Sequence, residues 1–412
     1  MRATRRGMMA GLGATLVAPP ARAAQPAHPQ PAPPLPFGVL LPLSGAQALL
    51  GDESLRGIQL AADATNAAGG VLGRPVALMQ ADAADADTAV AEAHRLIGTA
   101  HVVAILGTGL SPLGFAATGT AALAKLPYAE LGAIADPITK RGFRHLLRTC
   151  PMASAFAATA IDAIVTLLAP RLGIAAKSLR IAILHEDGLY GSTVANFQAL
   201  HCRQRNLPVV ATIAYPAGAM DLRAPIQRLR GSAAEIVLHT GYCDDVPLFY
   251  RGLQQMRWQP RMVIGAGGGY ALTDTALAIG PGFEGTMNVD FPQYDITPRF
   301  APNARAVEQT YRNRFGMPPR SGHSLANYTG ARLFFDIVNR AGSTDKDKIR
   351  AAAQTIDLPP GMLASGWGAA FDATGQNTHA APCVMQWQNG AQKTIAPPAA
   401  ATAALHPRFG AA

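Results

Sequence analysis

Cysteine is scarce in this 412-residue chain: four copies, at positions 150, 202, 243 and 383, lie far apart. A zinc site needs closer Cys or His pairs than these, so no metal is expected. Spacing selects no disulfide pairing either. Charge is sparse too, with Asp, Glu, Lys and Arg at 15% of residues. Basic residues number 35 against 26 acidic, but Arg2, Arg5, Arg6 and Arg22 crowd the first 24 positions. Setting those four aside leaves 31 against 26, or +5, too small and scattered a surplus for a nucleic-acid face. Beyond the N-terminus no run of 18 apolar residues suggests a membrane span.

Motifs for cofactors and catalysis are also missing. No G-K-[ST] phosphate loop occurs. A dinucleotide fingerprint needs G-x-G-x-x-G, and the run Gly107 to Pro112 has proline where the third glycine belongs, while Gly265 to Tyr270 has tyrosine. Ser111 is in no G-x-S-x-G elbow. His185, beside Glu186 and Asp187, reads as a polar strand end, and the isolated Trp258, Trp367 and Trp387 read as packing residues. These absences point away from an enzyme and from any cofactor.

What is present begins with an address. Residues 1–24 have a basic start, an apolar run from Gly7 to Ala18 and small residues ending Ala21-Arg22-Ala23. That is the layout of a cleaved export signal, with Arg5-Arg6 giving a twin-arginine-like character. The apolar run is too short for roughly 30 Å of hydrocarbon, and no cysteine follows before Cys150 to carry a lipid. The mature protein is expected to be soluble in the periplasm. Residues 25–36, QPAHPQPAPPLP, read as an extended proline-rich spacer.

From Phe37 the chain becomes periodic. Phe37 to Leu41 suits a strand buried on both faces. A loop follows with Pro42, Ser44 and Gly51, then Leu55, Ile58, Leu60, Ala61 and Ala62 line one face of a helix. Gly69, Gly70 and Gly73 stop it, and Pro75 to Gln80 reads as the next strand. In such β-loop-α-β units ligands sit outside the carboxyl ends of the strands. Strands at Val102 to Leu106 and Leu126 to Leu131 also end in loops of small and hydroxyl-bearing residues. The alternation restarts after Cys150-Pro151 with strands at Ile181 to His185, Val209 to Tyr215, Glu235 to His239 and Met262 to Gly265.

The expected architecture is α/β: two doubly wound, Rossmann-like lobes joined by three crossovers, near Arg148, Phe291 and Leu363. Lobe 1 takes residues 37–148 and 292–362, lobe 2 takes 149–291 and 363–395, and 396–412 form a C-terminal tail. Two lobes on three connections make a hinged clamp.

The segments PLSGAQALLGDESLRGIQLAADATNAAGGVLGRPV, GTGLSP, HLLRT, HEDGLYG and VMQWQNG occur in that order between Pro42 and Gly390. In order and spacing the chain resembles the branched-chain amino acid binding proteins of ABC transporters, a type I periplasmic solute-binding family. The resemblance covers Phe37 to about Ile395. It implies a periplasmic substrate-binding component that captures a small organic ligand by lobe closure and delivers it to ABC permease and ATPase subunits, as a monomer without nucleic acid. The alternative is a ligand-sensing clamp that reports to a receptor or regulator.

Carried over position by position, the resemblance implies a pocket of eight residues. Ser111 matches the residue that holds the ligand carboxylate, and Gly132, Ala133 and Ile134 match the stretch giving it further backbone and hydroxyl donors. Tyr190 and Tyr242 match aromatics on the closing lobe. Leu50 falls where a first-loop side chain lines the apolar end, and Gly267 lies in a glycine-rich floor. Two departures stand out. Ile134 replaces a threonine and has no hydroxyl to donate. The stretch Gly265-Ala266-Gly267-Gly268-Gly269 has no acid where amino-acid binders meet the ligand ammonium, leaving Asp187, Asp244 and Asp245 as the nearby candidates. A buried ammonium without a partner costs several kcal/mol. The sequence therefore favours a ligand without an ammonium, such as an aromatic or aliphatic acid or an amide, over leucine, isoleucine or valine.

Overall fold

The computed structural model describes residues 32–406; the export signal read in residues 1–24 lies outside the described residues. Strand β1 (Leu35–Leu41) starts two residues inside the stretch read as spacer. Its side chains alternate between two cores. Phe37, Val39 and Leu41 pack with Leu55 and Ile58 of the helix Ala48–Ala67 and with Phe334 and Phe335 of the helix His323–Ala341. Leu40 faces the other way, toward Ala89, Ala93 and Leu96 of the helix Ala86–Gly98. A strand clothed by helices on both faces must be apolar throughout, which is why no polar alternation marks it.

Four parallel partners complete the first sheet: β2 (Val76–Asp82), β3 (Ile105–Gly107), β4 (Tyr128–Glu130) and β5 (Leu146–Arg148), in the order β2-β1-β3-β4-β5. Register sets Leu40, Gly107, Glu130 and Arg148 side by side in one row at the carboxyl edge. The loops that follow β3 and β4 therefore open on the same side.

The chain then enters a second sheet. The helical run Ala153–Leu172 is long and apolar enough, by composition, to cross a membrane, contrary to the expectation of no such run. Here it is a core helix, with Phe156, Ile161, Ile164 and Leu168 buried against the second sheet. That sheet has parallel strands β6 (Ile181–Glu186), β7 (Val209–Tyr215), β8 (Ile236–Thr240), β9 (Met262–Ala266) and β10 (Met287–Asp290). After Asp290 the chain returns to the first sheet, where Ile337, Val338, Ile349 and Ala353 join its core. A small antiparallel pair follows, β11 (Asp357–Leu358) with β12 (Ala369–Ala370). Ala369 still packs with Phe37 and Val39, so the chain crosses for the third time between Ala370 and β13 (Cys383–Gln388). With β14 (Ala391–Ala396), β13 extends the second sheet antiparallel, giving the order β14-β13-β10-β9-β8-β6-β7.

The segment after Ala396, read as a tail, lies on the second sheet as far as it is described. Ala400 and Leu405 are buried, and His406 bonds Gln386 through both its amide and its carbonyl. All four cysteines are unpaired.

Candidate functional site

The first wall of the site is organised by a carboxylate that never reaches it. Glu130 ends β4 fully buried. Its oxygens accept the amides of Thr108 (2.8 Å), Gly109 (3.2 Å), Gly132 (3.0 Å) and Ala133 (2.8 Å), and the Thr108 hydroxyl. Burial pushes its carboxyl up from the ordinary value, while these donors pull it down. The stitched loops lie so close that a Cβ on Gly132 would meet the Gly109 Cα at 3.0 Å. Arg148, also fully buried, braces the second loop from behind by donating to the carbonyls of Ala133 (3.2 Å) and Ala135 (2.7 Å).

This wiring corrects one expectation. The amides of Gly132 and Ala133 point at Glu130, not at a ligand, and Ala133 does not line the cavity. Ser111 and Ile134 do line the cavity, and the Ile134 amide is not among the donors to Glu130. Ser111 begins the helix Ser111–Leu123 and its Oγ accepts the Ala135 amide at 3.2 Å. A hydroxyl that accepts one bond still has its own proton to donate.

The second wall comes from the carboxyl edge of the second sheet, where register aligns His185, Thr240, Ala266 and Val289. Tyr190, in the first turn of the helix Leu189–Gln204, donates its hydroxyl to the Ala266 carbonyl. Tyr242 follows β8, its ring 5.1 Å from that of Tyr190, and its buried hydroxyl has no partner among the described residues. Gly267 adopts φ +69°, and a Cβ there would sit 2.6 Å from the Tyr190 hydroxyl, so the position calls for glycine on both counts.

The walls meet. Leu50, Ser111, Gly132, Ile134, Tyr190, Tyr242 and Gly267 line one cavity, together with Gly109, Leu110, Phe156, Gly268 and Phe291. A Cβ on Gly268 would reach the Leu50 Cδ2 at 2.7 Å, so the two lobes touch across the mouth. Outside the cavity, Arg320 bridges Asp52 (2.9 Å) on the first side and Asp274 (3.3 Å) on the second.

A second correction concerns charge. None of the three acids singled out from the sequence lines the cavity. Asp187 accepts the Ala217 amide, and Asp245 accepts the Tyr242 amide with its carboxyl pushed up to about 6 by burial. Asp244 caps the helix Asp245–Gln255 by position, without a side-chain bond. Instead Asp290 and His323 reach the cavity, both buried, with His323 Nε2 3.2 Å from Asp290 Oδ2. The signal was present: in Met287-Asn288-Val289-Asp290-Phe291 an acid ends a buried strand at the edge where Gly267 lies. Among the described residues no group of three or more His, Cys, Asp or Glu could hold a metal.

The sequence model of the periplasmic binding protein family matches residues 34–392. Leu/Ile/Val-binding protein homolog 8 of Brucella abortus (strain 2308) is 39% identical over 370 residues, spanning 90% of this chain and 92% of that protein. Among solved structures, the leucine binding protein LivK of Thermotoga maritima superposes with a TM-score of 0.77 at 23% identity, over 88% of this chain and 98% of that one. A solute binding protein of an ABC transporter from R. palustris, in complex with 4-hydroxybenzoate, gives 0.74 at 20% identity over 87% and 94%. These neighbours share the two-sheet fold, one named for binding leucine and the other holding 4-hydroxybenzoate. The match along almost the whole described chain and the 39% identity establish that this protein belongs to the periplasmic binding protein family.

Proposed function

We propose that this chain is the substrate-binding component of an ABC importer, exported to the periplasm with its signal removed and acting there as a monomer. It captures a small organic acid with an apolar body and presents the closed clamp to the permease and ATPase subunits. The observation that carries this reading is the single cavity lined from both sheet edges. On one side the Ser111 hydroxyl and Ile134 amide are the donors for a ligand carboxylate. On the other, Tyr190, Tyr242 and Gly267 close over it. Family membership favours import over the sensing alternative.

Ser111→Ala tests the carboxylate anchor. It deletes one hydrogen bond to a charged group, about 1.5–3 kcal/mol, which corresponds to roughly a 10- to 100-fold weaker complex. Calorimetric titration with the ligand found by native mass spectrometry checks this, and an unchanged melting curve shows the fold is intact. Equal affinity in the variant removes the anchor.

A further inference from the structure

The loop that carries Ile134 is held from the crossovers between the lobes, and the hold ends on one buried side chain. Arg148 donates through Nη1 to the carbonyls of Ala133 (3.2 Å) and Ala135 (2.7 Å). The carbonyl between them, that of Ile134, accepts the Ala153 amide at 2.8 Å, where the chain enters the second lobe. The Ala133 carbonyl and the Ile134 N–H belong to one planar, trans peptide group, so they point in opposite directions. A guanidinium on the carbonyl therefore fixes which way that N–H faces. Ile134 lines the cavity and Arg148 does not.

Arg148 is in turn aimed from the third crossover. Its Nη2 donates to Thr139 Oγ1 at 2.9 Å, and its Nε donates to Gln376 Oε1. Gln376 is buried, and its NH2 donates to the carbonyls of Cys150 and Asn377, each at 2.8 Å. Turning the amide over would set NH2 against guanidinium and oxygen against two carbonyls, so one orientation alone satisfies every partner. The backbone repeats the link. The Arg148 amide donates to the Gly375 carbonyl at 2.8 Å, and the Asn377 amide donates to the Arg148 carbonyl at 2.9 Å. The first and third crossovers thus run side by side, and Gln376 reaches from the third to the side chain that braces the ligand loop.

Resting on the reading of this cavity as the ligand site, we infer that Gln376 is a positioning residue for ligand capture. It aims the Arg148 guanidinium, and through it the Ile134 amide, and so ties the donor loop to the crossovers on which the clamp closes. It does not line the cavity itself. The position calls for a donor and an acceptor on one side chain. Glutamate would keep an acceptor for Arg148 but lay an oxygen against the Cys150 and Asn377 carbonyls, and methionine would fill similar space and offer neither group.

The test uses the full-length mature protein with Gln376→Met, which removes both hydrogen-bonding groups, and Gln376→Glu, which keeps the one that faces Arg148. The first readout needs no ligand: the amide resonance of Ile134 in protein carrying isotope-labelled isoleucine, assigned with Ile134→Val. Gln376→Met is expected to displace that resonance, and Gln376→Glu to return it to the wild-type position. The second readout is calorimetric titration with L-leucine and with 4-hydroxybenzoate. Whichever probe binds the wild type is expected to bind Gln376→Met roughly 10-fold more weakly, and Gln376→Glu nearly as tightly as the wild type. A residue that only staples the crossovers together would leave the Ile134 resonance in place, or be missed equally in both variants, and either result overturns the assignment. Should neither probe bind, the resonance decides alone. Should Gln376→Met fail to fold, Gln376→Asn, too short to reach Arg148 and Cys150 together, takes its place. An unmoved resonance in Gln376→Met, while Ser111→Ala weakens probe binding, overturns the role of Gln376 and leaves the cavity standing. Full probe affinity in Gln376→Met overturns it too, and full affinity in Ser111→Ala as well removes the cavity reading with it.

Discussion

Glu130→Leu is expected to lower the unfolding free energy by at least about 3 kcal/mol, because it strips the acceptor from three buried amides and one half-buried amide at once. Each unsatisfied buried donor costs about 1–3 kcal/mol, against a total stability of about 5–15 kcal/mol for a typical protein. Both loops of the first wall would lose their common anchor, so ligand binding should disappear with the stability. Glu130→Gln is the informative control. Oε1 alone faces the amides of Thr108, Gly109, Gly132 and Ala133, whereas Oε2 meets only Thr108. A glutamine can keep its carbonyl at the Oε1 position, where it still accepts all four amides. Its NH2 then faces the Thr108 N–H donor against donor and finds an acceptor only in the Thr108 hydroxyl, so it should retain part of what leucine loses. Urea unfolding midpoints measure both. A leucine variant within about 1 kcal/mol of wild type, near the ordinary size of a single hydrogen bond, would show that the loops stand without Glu130.

Acidification is expected to weaken the second lobe through His239. Its ring is fully buried in β8, with Nε2 3.0 Å from the Tyr215 hydroxyl and Nδ1 2.6 Å from the Tyr270 hydroxyl. Burial, with the neighbouring His185 adding to it, pushes the imidazole down to about 3. The unfolded chain takes up a proton near pH 6.5, and the folded protein does not. Stability is therefore complete above pH 6.5 and falls as the pH drops from there toward 3, by about 1.4 kcal/mol per unit and about 4–5 kcal/mol in all. Buried acids work the other way. Asp245, raised to about 6, sheds its burial penalty as it protonates, so the whole protein's slope is shallower than that of His239 alone. His239→Gln isolates the contribution: less stable than wild type at neutral pH, it should lose less between pH 6 and 4. Parallel curves for the two proteins would contradict the assignment.

Much of the cavity lining was legible in the sequence because it sits where strands end. Ser111, Ile134, Tyr242 and Gly267 each follow a short apolar run, and a parallel sheet brings such positions to one edge. The unread parts depend on what a sequence pattern does not carry. Glu130 organises two loops through backbone amides, which any residue supplies, so nothing in Tyr128-Ala129-Glu130 marks it as a hub. Gly132 and Ala133 looked like ligand donors for the same reason, since only geometry shows which way an amide points. Asp290 was missed as a cavity residue because the search for an acid stayed on the loop after β9, whereas Asp290 ends the next strand and is made adjacent by register alone. His323 lies far along the chain, and only the return of its helix to the first sheet brings it to the cavity. The third crossover fell after Ala370 because the short pair β11–β12 is too brief to leave a periodic trace.

The central claim is that a small molecule is enclosed between the two sheet edges. The most direct measurement is a crystal structure of the protein grown with whichever small molecule native mass spectrometry finds bound to it. The account predicts that molecule between Ser111 and Asp290, with Tyr190 and Tyr242 against it. A molecule seated elsewhere, such as the outer groove between Tyr250, Trp258 and Pro281, with the cavity between the sheet edges empty, would contradict it.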